Sequence, residues 1–193
     1  MKRPARRRWL RRLTWAALAL FIASLAPVAL LRFVDPPTSA FMLARQWEMR
    51  GEAGFSLRQE WVDIEAISPH ALIALVAAED QHFPSHHGFD LDAISSVIAE
   101  RGAGGTRRGA STISQQVAKN LFLWSGRSWL RKGVEAYYTF AIELFWPKRR
   151  ILEVYANIAE FGDGLYGVEA AAQHFYRIPA ARLDARQSAA LAA

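Results

Sequence analysis

Cysteine is absent from all 193 residues. That excludes a disulfide framework and any thiolate metal site, and it is compatible with an oxidising compartment without establishing one. A Walker motif and a dinucleotide fingerprint are missing too, so no nucleotide cofactor is expected. No internal repeat, low-complexity segment or convincing alternating strand pattern appears along the chain. The body also lacks the positive charge that a net +6 suggests. Lys2, Arg3, Arg6, Arg7, Arg8, Arg11 and Arg12 contribute +7, so residues 13–193 sum to −1 and nucleic acid is not an expected partner.

What is present begins with topology. Leu13–Leu31 is nineteen residues without a charge, and Phe33 and Val34 extend it past Arg32. Such a run is long enough to cross a bilayer as a helix, and Pro27 is tolerated inside one. The division read from the chain is a basic cytoplasmic tail over 1–12, a transmembrane helix over 13–34 and one domain over 35–193. The positive residues put the tail inside and the domain outside the cytoplasmic membrane. A cleaved signal peptide is the rival, since small residues surround Ala26, but the run exceeds a usual signal core and no Ala-x-Ala site closes it.

The domain reads as mainly α. Ser68-Pro69 starts a helix to Ala78 that is apolar nearly all round, which predicts a place in the middle of the core. A second helix spans Asp90–Glu100, and a glycine-rich loop holds Gly102, Gly104, Gly105 and Gly109. Thr112 and Gln115 form a capping box for a helix to Leu123. Further helices are expected over Ser128–Trp146 and Pro147–Glu160, at GVEAAAQHFY and from Asp184, with a turn at Gly162-Asp163-Gly164. Phe41-Met42-Leu43 follows the Asp35-Pro36-Pro37 turn within reach of a membrane surface. Phe122-Leu123-Trp124 and Trp129-Leu130 suit either core or lipid contact.

Chemistry concentrates in three stretches. In AAEDQHFPSHHGFD, Glu79 ends the apolar helix, where burial and the helix dipole both disfavour a carboxylate and would raise its pKa toward that of a general base or acid. A solvated helix end explains Glu79 and Asp80 equally well on position alone. His82 and His86 have the i, i+4 spacing of metal ligands, but Pro84 between them breaks the helix that would align them. In the second stretch Lys119, Arg127, Arg131 and Lys132 gather beside the glycine-rich loop, an arrangement suited to a phosphate or pyrophosphate. A surface i, i+4 pair is the plainer account of Arg131 and Glu135. In the third, Lys148, Arg149 and Arg150 occupy a helix's first turn, where the dipole disfavours cations. Either that turn faces an anionic ligand or membrane surface, or Arg149 simply pairs with Glu153.

EDQHFPSHHGFD, GASTISQQVAKNLFL, RKGVE, KRRILEVYANIAEFG and GVEAAAQHFY resemble, in order and spacing over roughly 35–193, the motifs of the peptidoglycan glycosyltransferases of glycosyltransferase family 51. The resemblance implies an all-α, lysozyme-like fold with a small membrane-associated jaw, behind one transmembrane helix in the bacterial inner membrane with the catalytic domain periplasmic. It implies polymerisation of lipid II onto a growing glycan strand through β-1,4 links, with release of undecaprenyl pyrophosphate. Glu79 would be the general base and Glu135 the family's second glutamate, orienting cations or a divalent ion. Lys119, Arg127, Arg131 and Lys132 would hold the donor pyrophosphate, while Asp80, Ser111, Gln115, Gln116 and Asn157 shape the substrate cleft. Mg²⁺ or Mn²⁺ bridging the pyrophosphate is the implied cofactor, without ligands that the sequence names. Membrane lipid, other cell-wall synthases and division proteins are the implied partners. Ala110 stands where many members have glycine, and Ser114 where threonine is usual. Members also continue beyond the last helix, so the end at Ala193 is expected to mark a fragment or a short form. Two other classes remain: a lysozyme-like lytic enzyme, against which the cation cluster argues, and a non-catalytic binder of wall precursor, which needs no Glu79.

Overall fold

The computed structural model describes residues 3–52, 54–102 and 111–193. Helix α1 covers Arg3–Leu31, so the basic leader runs into the apolar span as one rod that carries Pro27 within it. Its Arg7–Leu31 portion is long and apolar enough to cross a membrane and is almost entirely unburied. Helix α2, Ala40–Glu48, is capped by Ser39 Oγ, which accepts from Met42 N at 3.1 Å. It splits the expected apolar cluster: Met42 is buried and Leu43 faces outward.

The core is built on α5, Ile113–Phe122, whose Ile113, Val117 and Ala118 are wholly buried at helical spacing. It packs against α6 (Trp129–Phe145) and α7 (Lys148–Ile158), which contribute Ile142, Ile151, Val154 and Ile158. Helix α3, Pro69–Glu79, does not take the central place its apolarity predicts. Only Ala71 and Leu75 are buried, Ile73 is 66% exposed, and the helix lies along α9, Ala185–Ala192. A segment apolar on every side has no period, so its composition could not say which stripe faces inward.

Capping residues set the helix starts as expected. Ser68 caps α3, Ser128 caps α6, and capping boxes at Thr112/Gln115 and Asp184/Gln187 open α5 and α9. Helix α4 spans Leu91–Gly102, and α8 spans Val168–Tyr176. The glycine-rich loop expected after Gly102 falls, from 103 to 110, outside the described residues. The expectation of no strands is corrected. β1 (Arg58–Gln59), β2 (Glu160–Gly162) and β3 (Leu165–Tyr166) form a small sheet in the order β1-β3-β2. Strands of two or three residues are too short to show alternation. Because Glu160 joins β2, α7 ends at Ile158 rather than at Glu160. The turn at 162–164 joins β2 to β3.

Candidate active site

Asp80 organises the site. It caps α3, is buried, and accepts from Ile113 N, the first residue of α5, at 2.9 Å. A carboxylate there meets an unpaired helix N–H and the positive end of a helix dipole. His86 Nε2 lies 2.9 Å from both Asp80 oxygens, while Gly88 N donates to His86 Nδ1 at 3.1 Å. That bond makes Nδ1 the acceptor, so Nε2 carries a proton and donates to Asp80. His82 Nδ1 meets Asp90 Oδ2 at 2.8 Å, and Asp90 Oδ1 accepts from Ala93 N in α4 at 2.8 Å. That backbone bond first, and then His82, hold the Asp90 carboxyl below its ordinary range against desolvation. Both histidines therefore lock a loop. Gly88 makes the loop close: its φ is +89°, and a Cβ there would stand 2.9 Å from Thr139 Cγ2.

Glu79 is exposed, not buried as its place at the end of an apolar helix predicts. Its Oε2 accepts from Gln116 Nε2 at 2.6 Å, and among the described residues Oε1 has no partner. Glu79, Asp80, Ser111 and Gln116 line one cleft of about 500 Å³ together with Thr112 and Gln81. Gln115 does not reach into it. Gln115 is buried, and its Oε1 accepts from Thr112 N at 3.0 Å, so it acts on the cleft by starting α5. Asn157 is likewise fully buried. It donates to Val62 O and Glu153 O and accepts from Val62 N, each at 2.9 Å. It latches α7 to the segment after β1. Gly167, at φ +85°, fits beneath that latch, since a Cβ would lie 2.8 Å from Asn157 O.

One turn along α5 from Gln116, half-buried Lys119 places its ammonium 5.4 Å from the Phe41 ring centroid. Burial pushes this ammonium below its ordinary value. Arg131 and Lys132 add to that, and Glu135 and Glu79 oppose it. Lys119 thus lies within electrostatic reach of both glutamates and two of the cations. Glu135 is not half of a surface pair. It is 3% exposed, accepts from Arg131 Nη1 at 2.9 Å and from Lys132 Nζ, and both its oxygens are taken. Arg131 Nε is buried and has no partner among the described residues. Arg127 is exposed in the connection just before α6. The apolar stretches divide: Leu123 is buried, whereas Trp124, Trp129 and Leu130 are exposed.

Sequence reasoning missed Glu143. Two turns after Glu135 on α6, it accepts from Ser114 Oγ and from Lys148 Nζ, the latter at 2.8 Å. The spacing Glu135, Thr139, Glu143 was the available signal. Ser114 supplies a hydroxyl as a threonine would, so that departure leaves the network whole. In the first turn of α7 each cation has a carboxylate partner. Lys148 meets Glu143, Arg149 meets Glu65 rather than Glu153, and Arg150 meets Glu153 Oε2 at 2.7 Å.

A divalent magnesium or manganese ion prefers about six oxygen ligands. Among the described residues no three His, Asp or Glu side chains converge, and Glu135 has no free oxygen. These donors do not fit a metal site built by the protein. The cleft carries an exposed carboxylate, and Lys119 stands electrostatically between it and the two cations, Arg131 and Lys132, that buried Glu135 holds. The exposed carboxylate can take a proton; the cations can hold and stabilise an anionic group.

The sequence model of the transglycosylase family matches residues 48–193. A protein of Xylella fastidiosa (strain 9a5c) named biosynthetic peptidoglycan transglycosylase is 59% identical over 187 residues, covering 96% of this chain and 77% of its own. Proteins of the same name from Xanthomonas campestris pv. campestris (strain B100) and Xanthomonas euvesicatoria pv. vesicatoria (strain 85-10) are 57% and 58% identical. The first covers 99% of this chain and 79% of its own, the second 97% and 76%.

Proposed function

Because this chain belongs to the transglycosylase family, and is a membrane-anchored peptidoglycan transglycosylase of cell-wall biosynthesis, we propose that it polymerises lipid II with Glu79 as general base. Glu79 takes the proton from the 4-hydroxyl of the acceptor sugar as that oxygen attacks the anomeric carbon of the growing strand. The bond from that carbon to the pyrophosphate oxygen breaks with inversion, giving a β-1,4 link and undecaprenyl pyrophosphate. Lys119, Arg127, Arg131 and Lys132 hold the pyrophosphate and offset the charge that develops on it. The observation that carries this reading is the unequal pair of glutamates. Glu79 is exposed and, among the described residues, keeps one oxygen without a partner, whereas Glu135 is buried with both oxygens bound to cations. Only the first is open to a proton on a substrate hydroxyl, and the second sets the direction of the cations. Gln116 orients Glu79, and Asp80 fixes α5, which carries Gln116 and Lys119.

With seven positive charges ahead of Leu13, the N-terminus is cytoplasmic and the domain periplasmic. A reporter fused after Ala193 should be active only when exported, and cytoplasmic activity would overturn the topology. The function is tested by incubating the purified chain with labelled lipid II. Polymer should form with wild type, and Glu79→Gln should lose roughly 10²–10⁴ in rate, the usual cost of removing a general base. Near-normal polymerisation by a folded Glu79→Gln protein would sink the assignment.

A further inference from the structure

Arg150 has an unusual set of partners. A guanidinium carries five N–H donors, and here all five are engaged. Nε and Nη2 both donate to Leu31 O, at 3.2 and 3.1 Å, and Nη2 also donates to Val34 O at 2.9 Å. Nη1 donates to Asp35 Oδ1 at 2.8 Å and to Glu153 Oε2 at 2.7 Å. The side chain is only 10% exposed, and its Cζ lies 5.4 Å from the Trp61 ring centroid. Four of the five bonds therefore run from α7 of the catalytic domain to the end of the membrane helix and the turn behind it.

A helix leaves the last four of its carbonyls without partners inside the helix. In α1 these belong to Val28, Ala29, Leu30 and Leu31. Leu30 O receives Phe33 N and Val34 N. Val28 O instead receives Trp146 Nε1 at 2.7 Å, and Leu31 O receives Arg150. The catalytic domain thus caps two of the four carbonyls, at the negative end of the helix dipole. Ser24 Oγ lies 2.7 Å from Tyr137 OH, and Val28 is fully buried, so the last two turns of α1 also pack on α6. Glu153 in addition accepts from Ile64 N at 3.0 Å, which ties the arginine's partner to the core. A tether would need none of these contacts. The cation in the first turn of α7, unfavourable for that helix, is favourable for the end of α1.

We propose that Arg150 is a positioning residue that clamps the membrane helix rigidly to the catalytic domain and so holds the cleft at a fixed height and angle over the bilayer. This rests on the reading above that the substrate is lipid-linked and lies in that bilayer. A fixed cleft meets the pyrophosphate of a membrane-embedded substrate at one depth. A swinging cleft meets it only part of the time, although its chemistry is intact.

Because the chain has no cysteine, the geometry can be measured directly with two introduced spin labels. Arg12→Cys on α1 and Arg186→Cys on α9 suit the full-length protein in phosphatidylglycerol-containing nanodiscs. Nineteen residues separate Arg12 from Leu31. At about 1.5 Å per residue that is a lever of about 29 Å, and a swing of about 20° moves the label by about 10 Å. The wild-type distance distribution should be narrow, Arg150→Ala should broaden it, and Arg150→Lys, with three donors, should fall between. Arg150→Ala should also lose tenfold or more in polymerisation of long-chain lipid II in the bilayer while turning over a short-chain, detergent-soluble analogue at near the wild-type rate. A distribution that stays narrow in Arg150→Ala overturns the clamp, and so does an equal loss on both substrates. Should Arg150→Ala fail to fold, Asp35→Asn removes one anchor point and must broaden the distribution measurably, or the clamp is wrong. If wild type polymerises neither substrate, the proposed function fails, while the distance measurement still decides the clamp.

Discussion

Replacing Asp80 by alanine tests whether the cleft is held from behind by one buried carboxylate. The side chain is 2% exposed and accepts from Ile113 N and His86 Nε2, each at 2.9 Å. Hydrogen bonds to a charged group contribute about 1.5–3 kcal/mol, and each donor left buried without a partner costs about 1–3 kcal/mol. These contributions overlap, and together they give about 3–5 kcal/mol. For a chain of this size, that corresponds to a fall in thermal midpoint of roughly 6–20 °C. Asp80→Asn is the sharper variant. Its carbonyl can still accept from Ile113 N, but its amide would face the Nε2–H of His86, whose tautomer is fixed by Gly88 N. Asp80→Asn should therefore lie between alanine and wild type. In a double-mutant cycle with His86→Ala, the pair should show coupling of about 0.5–3 kcal/mol. Melting followed by tryptophan fluorescence in detergent reads the wild type and every variant. A midpoint for Asp80→Ala within about 2 °C of wild type would refute the reasoning, as would additive losses in the cycle.

Gly88→Ala should lower the midpoint and polymerisation together, because its φ of +89° and a 2.9 Å approach to Thr139 force the histidine loop to shift; calorimetry that finds no change would count against the close packing. Glu135→Gln should cut turnover at least tenfold while binding of a phosphoglycolipid donor mimic weakens, since Arg131 and Lys132 lose the group that directs them; equal affinity in a titration would return the trio to a purely structural role. For Lys119, the depressed pKa places loss of the charge below pH 10.5, so the alkaline limb of the activity profile should lie below that value and Lys119→Arg should move it upward. The native form then binds fewer protons than the unfolded one between the depressed pKa and 10.5, so the stability contribution rises with pH through that window and is lost as pH falls through it. Lys119→Met should accordingly melt no lower than wild type at pH 8 while losing activity.

Much of the site could be read from residue types and local spacing. Ser68, Thr112, Ser128 and Asp184 named their helix starts because a cap is a local interaction whose partner lies two or three residues away. Arg131 and Lys132 follow the cap at Ser128, and Lys119 lies on the helix that Thr112 starts, so their positions on helices could be read from the same local signals. What stayed hidden depends on partners far along the chain. Glu79 was expected to be buried because α3 is apolar, yet α3 packs through one face and leaves Glu79 open. Asn157 and Gln115 carry donors and acceptors that suit a ligand equally well, and only the fold shows that backbone groups have taken them. Strand β1 is set by pairing with β3 across about a hundred residues, which no alternation in two residues can announce.

The three cations opening α7 show how such distance works on function. Read locally, Lys148, Arg149 and Arg150 are an error of design at a helix's positive end. In the fold each answers a negative group from elsewhere: Glu143 of α6, Glu65 before α3, and the carbonyl end of α1 with Asp35. The dipole cost, a few tenths to about 1 kcal/mol per cation, is offset at two of the three positions by partners little exposed to solvent, Glu143 and Glu153. Those two positions are the ones that join elements of the site. Lys148 reaches Glu143, which holds Ser114 at the start of α5, and Arg150 reaches the membrane helix. Arg149, whose partner is exposed, joins nothing that the site uses. Removing it should leave polymerisation unchanged, whereas Lys148→Ala should reach the cleft through Glu143 and Ser114. Equal effects of the two substitutions on turnover would mean that the first turn of α7 acts on the site only by its total charge.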